Sequence, residues 1–454
     1  MTVTTKTSPD GFAVTQPHVA GVDIGSREHW VAGPPKADGT PNVRQFRTTS
    51  EGLFAIAQWL SEQSVESVAM ESTGVYWIPL YELLESRNIK VVLVNARDFS
   101  HVPGRPKTDK LDCQWLQRLH SCGLLRGSFR PGAEFVGLRA LHRQRANLIH
   151  ERTRFIQWMQ KSLDQMNVQV HHAVSDISGQ TGMAIVRAIV AGKRQPEELA
   201  ALRDARCQKS AAEIAKHLTG TWKSEHLFNL ARTLELYDGN EAQVALYDAE
   251  IARQLEQLRQ KALAEAVVPT HPKPAKEKEL RRAAGLATRT HLYRATGVDL
   301  TRIDGIGVDA AQLIVAELGM SADAFPDERH FVSWLRLCPR TKVSGGKALK
   351  TSRNGLSANR IAGVLRMAAL GASRSKTALG ALFRRVSRSK GYTTAIFATA
   401  RKLAQYVFRA LRFGHDYVDI GEKAAEADFE ARRLRALQHE AKARGFALVP
   451  IAVS

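Results

Sequence analysis

The sequence predicts an α/β domain at the N-terminus followed by a chain that is almost entirely helical. Short apolar runs bounded by Gly, Ser and Asn are typical of β-strands, and five of them occur early, at 19–25, 28–33, 42–48, 66–71 and 90–95. Apolar residues with helical spacing follow or separate these runs at 51–63, 76–87 and 109–121. From about residue 134 onward the three-to-four spacing dominates, which favours helices over strands.

Length and composition narrow the class of protein. The chain has 454 residues. This is more than a domain with a single hydrophobic core usually contains, so two or three domains are predicted. No apolar run approaches the ~20 residues that a membrane span needs. Residues 1–17 are polar and Thr-rich without an apolar signal core, so we expect a cytoplasmic protein with a loose N-terminal tail. The four cysteines are scattered without a CxxC pair, which favours reduced thiols over disulfides or structural zinc.

The positive charge is concentrated in one segment. The net charge is +20, and the segment from Arg329 to His415 contains 19 Lys and Arg residues but no Asp or Glu. Such a segment is expected to leave its cations without acidic partners inside the protein. These cations repel one another, and binding to a polyanion relieves the repulsion through phosphate contacts and counterion release. The pattern predicts nucleic-acid binding, with an anionic membrane surface as the weaker alternative.

Four carboxylates in the first quarter of the chain predict a metal site. Asp23 lies in the first strand and Glu71 at the end of the fourth, while Asp109 and Asp112 open an amphipathic helix on one face. Hard carboxylate oxygens suit Mg²⁺, and two such ions about 4 Å apart assist phosphodiester chemistry. A single acid at a strand end is more often a turn or cap residue, but the order of these four favours metal binding.

The middle of the chain, from about 134 to 265, predicts a helical hairpin or coiled coil. Two long amphipathic stretches, Phe135 to Met166 and Gln243 to Ala264, carry apolar residues at three-to-four spacing with charges between them. Residues 168–240 are interpreted as a helical insertion broken by Gly and Pro. This region could serve as a dimerising or spacing element or face RNA, and the sequence leaves both open. A basic, Pro-containing linker is predicted after it, at 268–290.

Gly305-Ile306-Gly307 lies between two apolar-periodic segments. This pattern predicts a helix-hairpin-helix, in which glycines let backbone amides approach a phosphate of DNA. A Gly-x-Gly is by itself more often a tight turn. Its position before the acid-free segment favours the contact with the DNA backbone.

A second candidate site lies inside the acid-free segment. Ser344 precedes two glycines, which would leave its hydroxyl open to a phosphate. A serine that attacks a phosphodiester needs nearby cations for its alkoxide and for the transition state, and the sequence supplies Arg340, Lys342, Lys347, Lys350 and Arg353. A Ser-Gly-Gly segment is usually only a flexible loop, and Ser352 and Ser357 are nearly as plausible as the nucleophile.

The order of the N-terminal elements is that of ribonuclease-H-like nuclease domains: three strands, then helix, strand, helix, strand and helix. Together with the C-terminal block, the chain resembles the DEDD-type transposases of bacterial insertion sequences, the insertion-sequence one-ten family. The motifs that carry this resemblance are GVDIGSREHWVA, MESTGVYW and GRPKTDKLDCQWL in the N-terminal domain, and LTRIDGIGVDAAQLIVAELG and FVSWLRLCPRTKVSGGK further on. The second part of the resemblance covers residues about 297–417.

The resemblance implies residues, partners and a mechanism. The family's four acids correspond to Asp23, Glu71, Asp109 and Asp112, and its catalytic serine to Ser344, although Val343 stands where members often carry a further serine. It implies a RuvC-like acidic site that binds Mg²⁺ and combines with the serine domain of another protomer in a dimer or tetramer. A covalent phosphoserine intermediate would form, and a structured bridge RNA would select donor and target DNA by base pairing. The implied location is the bacterial cytoplasm, in association with the nucleoid.

The resulting organisation has five parts. They are a RuvC-like DEDD catalytic domain at 18–130, a helical or coiled-coil region at 131–267, a basic linker at 268–296, a transposase domain with the catalytic serine at 297–420, and a helical tail at 421–454. Two other functions compete with transposition: a RuvC-like Holliday-junction resolvase or nuclease that uses water as its nucleophile, and a nucleic-acid-binding protein without activity. The intact set of acids argues against a binding protein without activity. The separate serine-bearing block argues against a resolvase or nuclease that uses water.

Overall fold

The chain folds into two compact units that divide between Arg130 and Pro131. The structure is a computed structural model, and it describes residues 13–72, 74–95, 108–258, 265–273, 285–338, 342–345, 347–349, 359–414 and 419–449. Among the described helices, none combines the length and the hydrophobicity that a membrane-spanning segment requires. All four cysteines are free thiols, as the sequence predicts.

The first unit contains a five-stranded sheet in the order β3-β2-β1-β4-β5. Strands β1 and β2, and β2 and β3, pair antiparallel, whereas β1 with β4 and β4 with β5 pair parallel. The elements are β1 Val19–Ile24, β2 Glu28–Ala32, β3 Val43–Arg47, α1 Ser50–Glu62, β4 Ser67–Glu71, α2 Trp77–Ser86, β5 Lys90–Val94 and α3 Asp109–Ser121. The sequence predictions for all eight are confirmed to within one residue at each end.

Helices cover both faces of this sheet. On one face, alternate strand residues such as Val22, Val68 and Met70 are fully buried in a core that also contains Ile56 of α1 and Leu80 of α2. Helix α3 packs on the other face, against β1, β2 and β4. Both sides of the sheet are therefore buried, which accounts for the nearly continuous apolar sequences of β1 and β4.

Gly21 on β1 permits the close approach of α3. A Cβ atom at this position would lie 2.3 Å from the backbone nitrogen of Gln117 and 2.4 Å from the carbonyl oxygen of Cys113. Any larger residue would therefore push α3 away from the strand that carries Asp23.

Two long helices dominate the second unit. They are α4 Ala133–Gln165 and α9 Ser224–Gln257. Arg145 pairs with Asp248, and Arg152 pairs with Glu241 at 2.8 Å, so contacts that move forward along α4 move backward along α9. The helices are antiparallel, which confirms the predicted helical hairpin.

Four short helices lie between the two long ones: α5 Val170–Ala173, α6 Gln180–Val190, α7 Pro196–Ala200 and α8 Ala211–Lys216. They share one core with the adjoining ends of α4 and α9, in which Met159, Ile185 and Leu230 are fully buried. The predicted end of the insertion at 240 is wrong, because α9 already begins at Ser224.

The remaining helices form the C-terminal part of the second unit. They are α10 Gly285–Thr296, α11 Val308–Leu318, α12 Glu328–Trp334, α13 Arg360–Ala372, α14 Ala378–Lys390, α15 Tyr392–Phe413 and α16 Glu422–Ala443, with a 3₁₀ turn at Leu300–Arg302 and two short strands, β6 Lys342–Ser344 and β7 Lys347–Leu349. Helix α16 has no buried residue.

The described parts of the predicted basic linker are packed rather than extended. Arg289, on α10, is 2% exposed and pairs with Asp299 at 2.6 Å. The Arg289 guanidinium also donates to the carbonyl oxygen of Pro269, and the ring of buried His271 contacts the carbonyl oxygen of Thr301 at 3.2 Å. The interpretation of 268–296 as a linker is wrong for these residues, because a buried ion pair and backbone hydrogen bonds hold them to the fold.

Candidate active site and nucleic-acid interface

Asp23 and Glu71 lie at corresponding positions of two neighbouring parallel strands. The register pairs Val22 of β1 with Met70 of β4, and Asp23 and Glu71 are the next residue on each strand. Side chains alternate between the faces of a strand. Since Val22 and Met70 point into the α1–α2 core, Asp23 and Glu71 point to the α3 face, and both are half-buried.

Helix α3 carries the other two acids on its first turn. Thr108 caps the helix by accepting a hydrogen bond from the Leu111 amide at 3.3 Å. Asp109 is the first residue of the helix and is exposed, whereas Asp112 is half-buried. Acids in a first turn are favourable beside the positive end of the helix dipole. The predicted helical pair of acids is confirmed.

A buried thiol, that of Cys113, lies near two of these acids. Cys113 is fully buried where α3 meets β1, and burial raises the pKa of its thiol to about 12, with further contributions from the negative charges of Asp23 and Asp112. Both carboxylates therefore act on the same buried atom. Asp109 lies one helical turn before Cys113 on the same face of α3.

The described residues include no group of three or more His, Cys, Asp and Glu side chains arranged closely enough to hold a metal ion. The fold brings Asp23, Glu71 and Asp112 to one face of the sheet without closing a coordination shell around a point. Asp109 stands at the exposed start of α3. The arrangement is an open set of hard oxygen donors, which is the type of ligand that Mg²⁺ prefers.

Ser344 is the last residue of β6 at the tip of a β-hairpin. Its backbone pairs with Lys347 of β7, which leaves two residues for the turn. Gly345 is exposed and has a φ of +55°, as two-residue hairpin turns require. The structure describes only the backbone at Lys342, Ser344 and Lys347, and Arg340, Lys350, Ser352, Arg353 and Ser357 lie outside the described residues. A paired strand thus leads to the candidate serine.

Two family profiles match the chain. One, a profile of DEDD transposases of the IS110 type, matches residues 20–168, and the other, described as transposase IS116/IS110/IS902 family, matches residues 299–384. Together they cover just over half of the chain, including all four acids and Ser344. The chain belongs to the IS110 family of transposases. Comparison with curated proteins gave no match. As a transposase, the protein is an enzyme that breaks and rejoins DNA.

Gly305 of this transposase has a structural role, which agrees with the tight turn that the sequence left open as the alternative. Its φ is +85°, and a Cβ atom there would lie 2.5 Å from the carbonyl oxygen of Ala368 on α13. The glycine therefore serves a tight turn that packs against a neighbouring helix. Gly307 precedes α11, and a Cβ atom there would meet nothing within 4 Å. The contact of these glycines with DNA stays a prediction.

Several cations of the acid-free segment do have acidic partners. The pairs are Arg360 with Glu317, Arg384 with Glu422, Arg409 with Glu328, and Arg412 with Asp323. The expectation that this segment lacks intramolecular partners is wrong for these four arginines, because acids before and after the segment fold against it. Arg374, Lys376, Arg388 and Lys390 are exposed and form no ion pair with other described residues. The transposase keeps a positive surface there.

Proposed function

We propose that this transposase cuts and rejoins DNA at a composite site made by the four acids and Ser344, with Mg²⁺ as cofactor and a covalent phosphoserine intermediate. The placement of Asp23 and Glu71 at corresponding positions of neighbouring strands, on the face that α3 covers with Asp109 and Asp112, carries the proposal. Carboxylate oxygens on one face of the sheet are the donors that Mg²⁺ prefers.

We further assign the first unit to the ribonuclease-H-like (RuvC-like) fold. The sheet order β3-β2-β1-β4-β5, with three antiparallel strands followed by two parallel ones, supports this assignment. So does the position of Asp23 in the first strand and of Glu71 at the end of the fourth.

Asp23, Glu71, Asp109 and Asp112 would hold the metal. Mg²⁺ held by carboxylates neutralises negative charge that develops on phosphodiester oxygens. The four carboxylates supply only oxygen donors, the type of ligand that suits Mg²⁺.

Ser344 would act as the nucleophile. Its Oγ forms a bond to phosphorus while the bond from phosphorus to the leaving deoxyribose oxygen breaks, and the serine proton is transferred to that oxygen. In religation a deoxyribose hydroxyl of the exchanged strand attacks the phosphoserine, and the proton returns to Ser344. No water is consumed and the number of phosphodiester bonds is conserved. The tip of a hairpin is a suitable place for such a residue, because it can reach into a site formed by another protomer.

A structured bridge RNA would choose donor and target DNA, and the enzyme would act as a dimer or tetramer. The absence of a zinc-finger spacing from the sequence and the exposed cations at Arg374, Lys376, Arg388 and Lys390 support sequence reading by base pairing rather than by a protein motif.

Paired substitutions test this function. Asp23→Asn keeps the size of the side chain but removes a metal-binding charge, so cleavage should fall by at least about 100-fold while binding of DNA persists. Ser344→Ala should abolish cleavage as well. If Ser344→Ala cleaves DNA as fast as the unaltered protein, Ser344 is not the nucleophile, and the presence or absence of a covalent adduct then distinguishes another serine from water. Glu51→Gln, on the exposed first turn of α1, removes one charge from the same unit and serves as the control.

A further inference from the structure

Three arginines of the second unit surround one carboxylate. Arg139 donates to Glu317 at 2.7 Å, and Arg143 donates through two nitrogens, both at 2.8 Å. The guanidinium of Arg360 lies 3.9 Å from the same carboxylate. Arg139 and Arg143 are one turn apart on α4, Glu317 lies near the end of α11, and Arg360 is the first residue of α13.

The charges in this cluster do not cancel. Burial alone would raise the pKa of Glu317, but the hydrogen bond from Arg143 and the charges of Arg139 and Arg143 lower the pKa below its usual value. The carboxylate is therefore ionised at neutral pH. Among the described residues it is the one acid that Arg143 and Arg360 share, so one positive charge of this pair stays unbalanced. Such an excess is unfavourable unless an anion is bound there.

The cluster is also accessible and pre-organised. The side chains of Arg143 and Arg360 are 42% and 37% exposed, whereas that of Glu317 is 9% exposed. The buried carboxylate thus holds the inner edge of the arginines while their outer parts face solvent. Each guanidinium carries several N–H donors. The two oxygens of one carboxylate cannot accept hydrogen bonds from all the donors of three guanidinium groups, so some donors remain for a ligand. Orientation by a buried acid reduces the entropy that these side chains lose on binding a ligand.

We propose that Arg139, Arg143 and Arg360, oriented by Glu317, bind a backbone phosphodiester of the nucleic acid on which the transposase acts. Guanidinium groups match the oxygens of a phosphate in a forked geometry. The proposal deepens the proposed function and rests on its nucleic-acid partners, since both DNA and a guide RNA present the same phosphodiester.

The neighbouring arginines on α4 provide a matched control. Arg152 is 34% exposed and pairs with Glu241 at 2.8 Å in a one-to-one ion pair. Arg152→Gln and Arg360→Gln therefore remove the same charge from side chains of similar exposure. Of these two residues, only Arg360 belongs to a cluster with excess positive charge. At 3.9 Å from Glu317, Arg360 contributes little to the fold, so its substitution should leave thermal unfolding unchanged.

The test measures affinity by fluorescence anisotropy with the full chain, in EDTA so that no DNA is cut. The probes are a labelled duplex of the donor DNA and a labelled RNA transcribed from the DNA flanking the gene. One lost phosphate contact lowers the slope of log affinity against log salt by about 0.9 for duplex DNA and about 0.7 for single strands, which is roughly 5- to 8-fold in affinity at 0.1 M relative to 1 M salt. We expect this loss for Arg360→Gln and for Arg143→Gln, but not for Arg152→Gln.

The two probes identify the source of the phosphate. A loss confined to the duplex assigns the cluster to DNA, and a loss confined to the RNA assigns it to the guide. If Arg360→Gln binds both probes with the same affinity and salt slope as Arg152→Gln, the proposal is wrong and the cluster is purely structural. Because nothing is cleaved in this assay, its result does not depend on whether Ser344 is the nucleophile.

Discussion

Gly21 shows how a single residue positions the candidate site. Without a side chain at Gly21, the backbone of α3 lies against β1, and this contact brings Asp112 toward the face on which Asp23 lies. The four acids were recognisable from the sequence because each falls in a local pattern, a strand or the first turn of a helix. The Arg139–Arg143–Glu317 cluster was not, since Arg143 and Glu317 are 174 residues apart and no local pattern connects them.

Replacing Gly21 should separate α3 from the sheet. Gly21→Ala places a Cβ atom 2.3 Å from a backbone nitrogen, which we expect to lower the free energy of unfolding by about 2 kcal/mol or more. Gly127→Ala is the control, because its Cβ would meet only a Val92 methyl group at 3.5 Å. Urea unfolding of both variants gives the comparison. Equal stability of the two would contradict the close packing of α3 on β1.

His120 makes the stability of the first unit depend on pH. Burial, and to a lesser extent the charge of Lys90, lowers the pKa of His120 from 6.5 to about 4, and its ring contacts the Ser67 hydroxyl at 2.9 Å. Between these pH values the unfolded chain binds a proton that the folded unit does not, so stability falls as pH drops from about 6.5 toward 4.

His120→Gln should remove up to about 3 kcal/mol of this pH dependence. Hydrogen exchange of peptides from β4 and α3, corrected for the intrinsic effect of pH on exchange, measures it. An unchanged pH dependence in the variant would show that His120 is not the titrating group.

At the scale of elements, local sequence patterns predicted strands and helices correctly where the local preference and the tertiary packing favour the same element. The strands of the first unit combine apolar runs with Gly and Ser at their ends, and both faces of the sheet are covered, so pattern and burial coincide. The start of α9 was missed because Asp238-Gly239-Asn240 has the composition of a turn. Packing overrides that preference, since Leu230 and Tyr237 are buried in the core shared with α6.

Two glycine substitutions in the second unit should have opposite effects, because Gly239 lies within the continuous helix α9 and Gly305 lies in a tight turn. A Cβ atom at Gly239 would meet nothing within 4 Å, so Gly239→Ala should stabilise the helix by about 0.5–1 kcal/mol. Gly305→Ala should destabilise the unit, since φ is +85° and the Ala368 carbonyl oxygen lies 2.5 Å from the added atom. Thermal unfolding of both variants tests this. A destabilising Gly239→Ala would mean that the helix is interrupted there.

For the whole molecule, the net charge of +20 is the property that bears most on function. Part of it is balanced, because acids from α11, α12 and α16 pair with arginines of the acid-free segment. The sequence predicted where the positive charge lies but not which charges are compensated. That distinction depends on contacts between distant segments, which length and composition do not determine.

The remaining charge should make binding strongly dependent on salt. With several phosphate contacts per complex, affinity for DNA and RNA should fall by about 1,000-fold or more between 50 and 200 mM salt. Anisotropy titrations at four or five salt concentrations give the slope. A flat response would exclude the exposed cations of α14 and its surroundings as the nucleic-acid surface.

Covalent trapping tests the composite site most directly. The protein would be incubated with Mg²⁺, the RNA transcribed from the DNA flanking its gene, and nicked donor DNA labelled on either side of the cut, and the products would be separated on a denaturing protein gel. The composite site predicts a labelled protein–DNA adduct that disappears in Ser344→Ala and in Asp23→Asn. Cleavage without any adduct would contradict it and indicate water as the nucleophile, and an adduct that persists in Ser344→Ala would move the nucleophile to another serine, with Ser352 the first to examine.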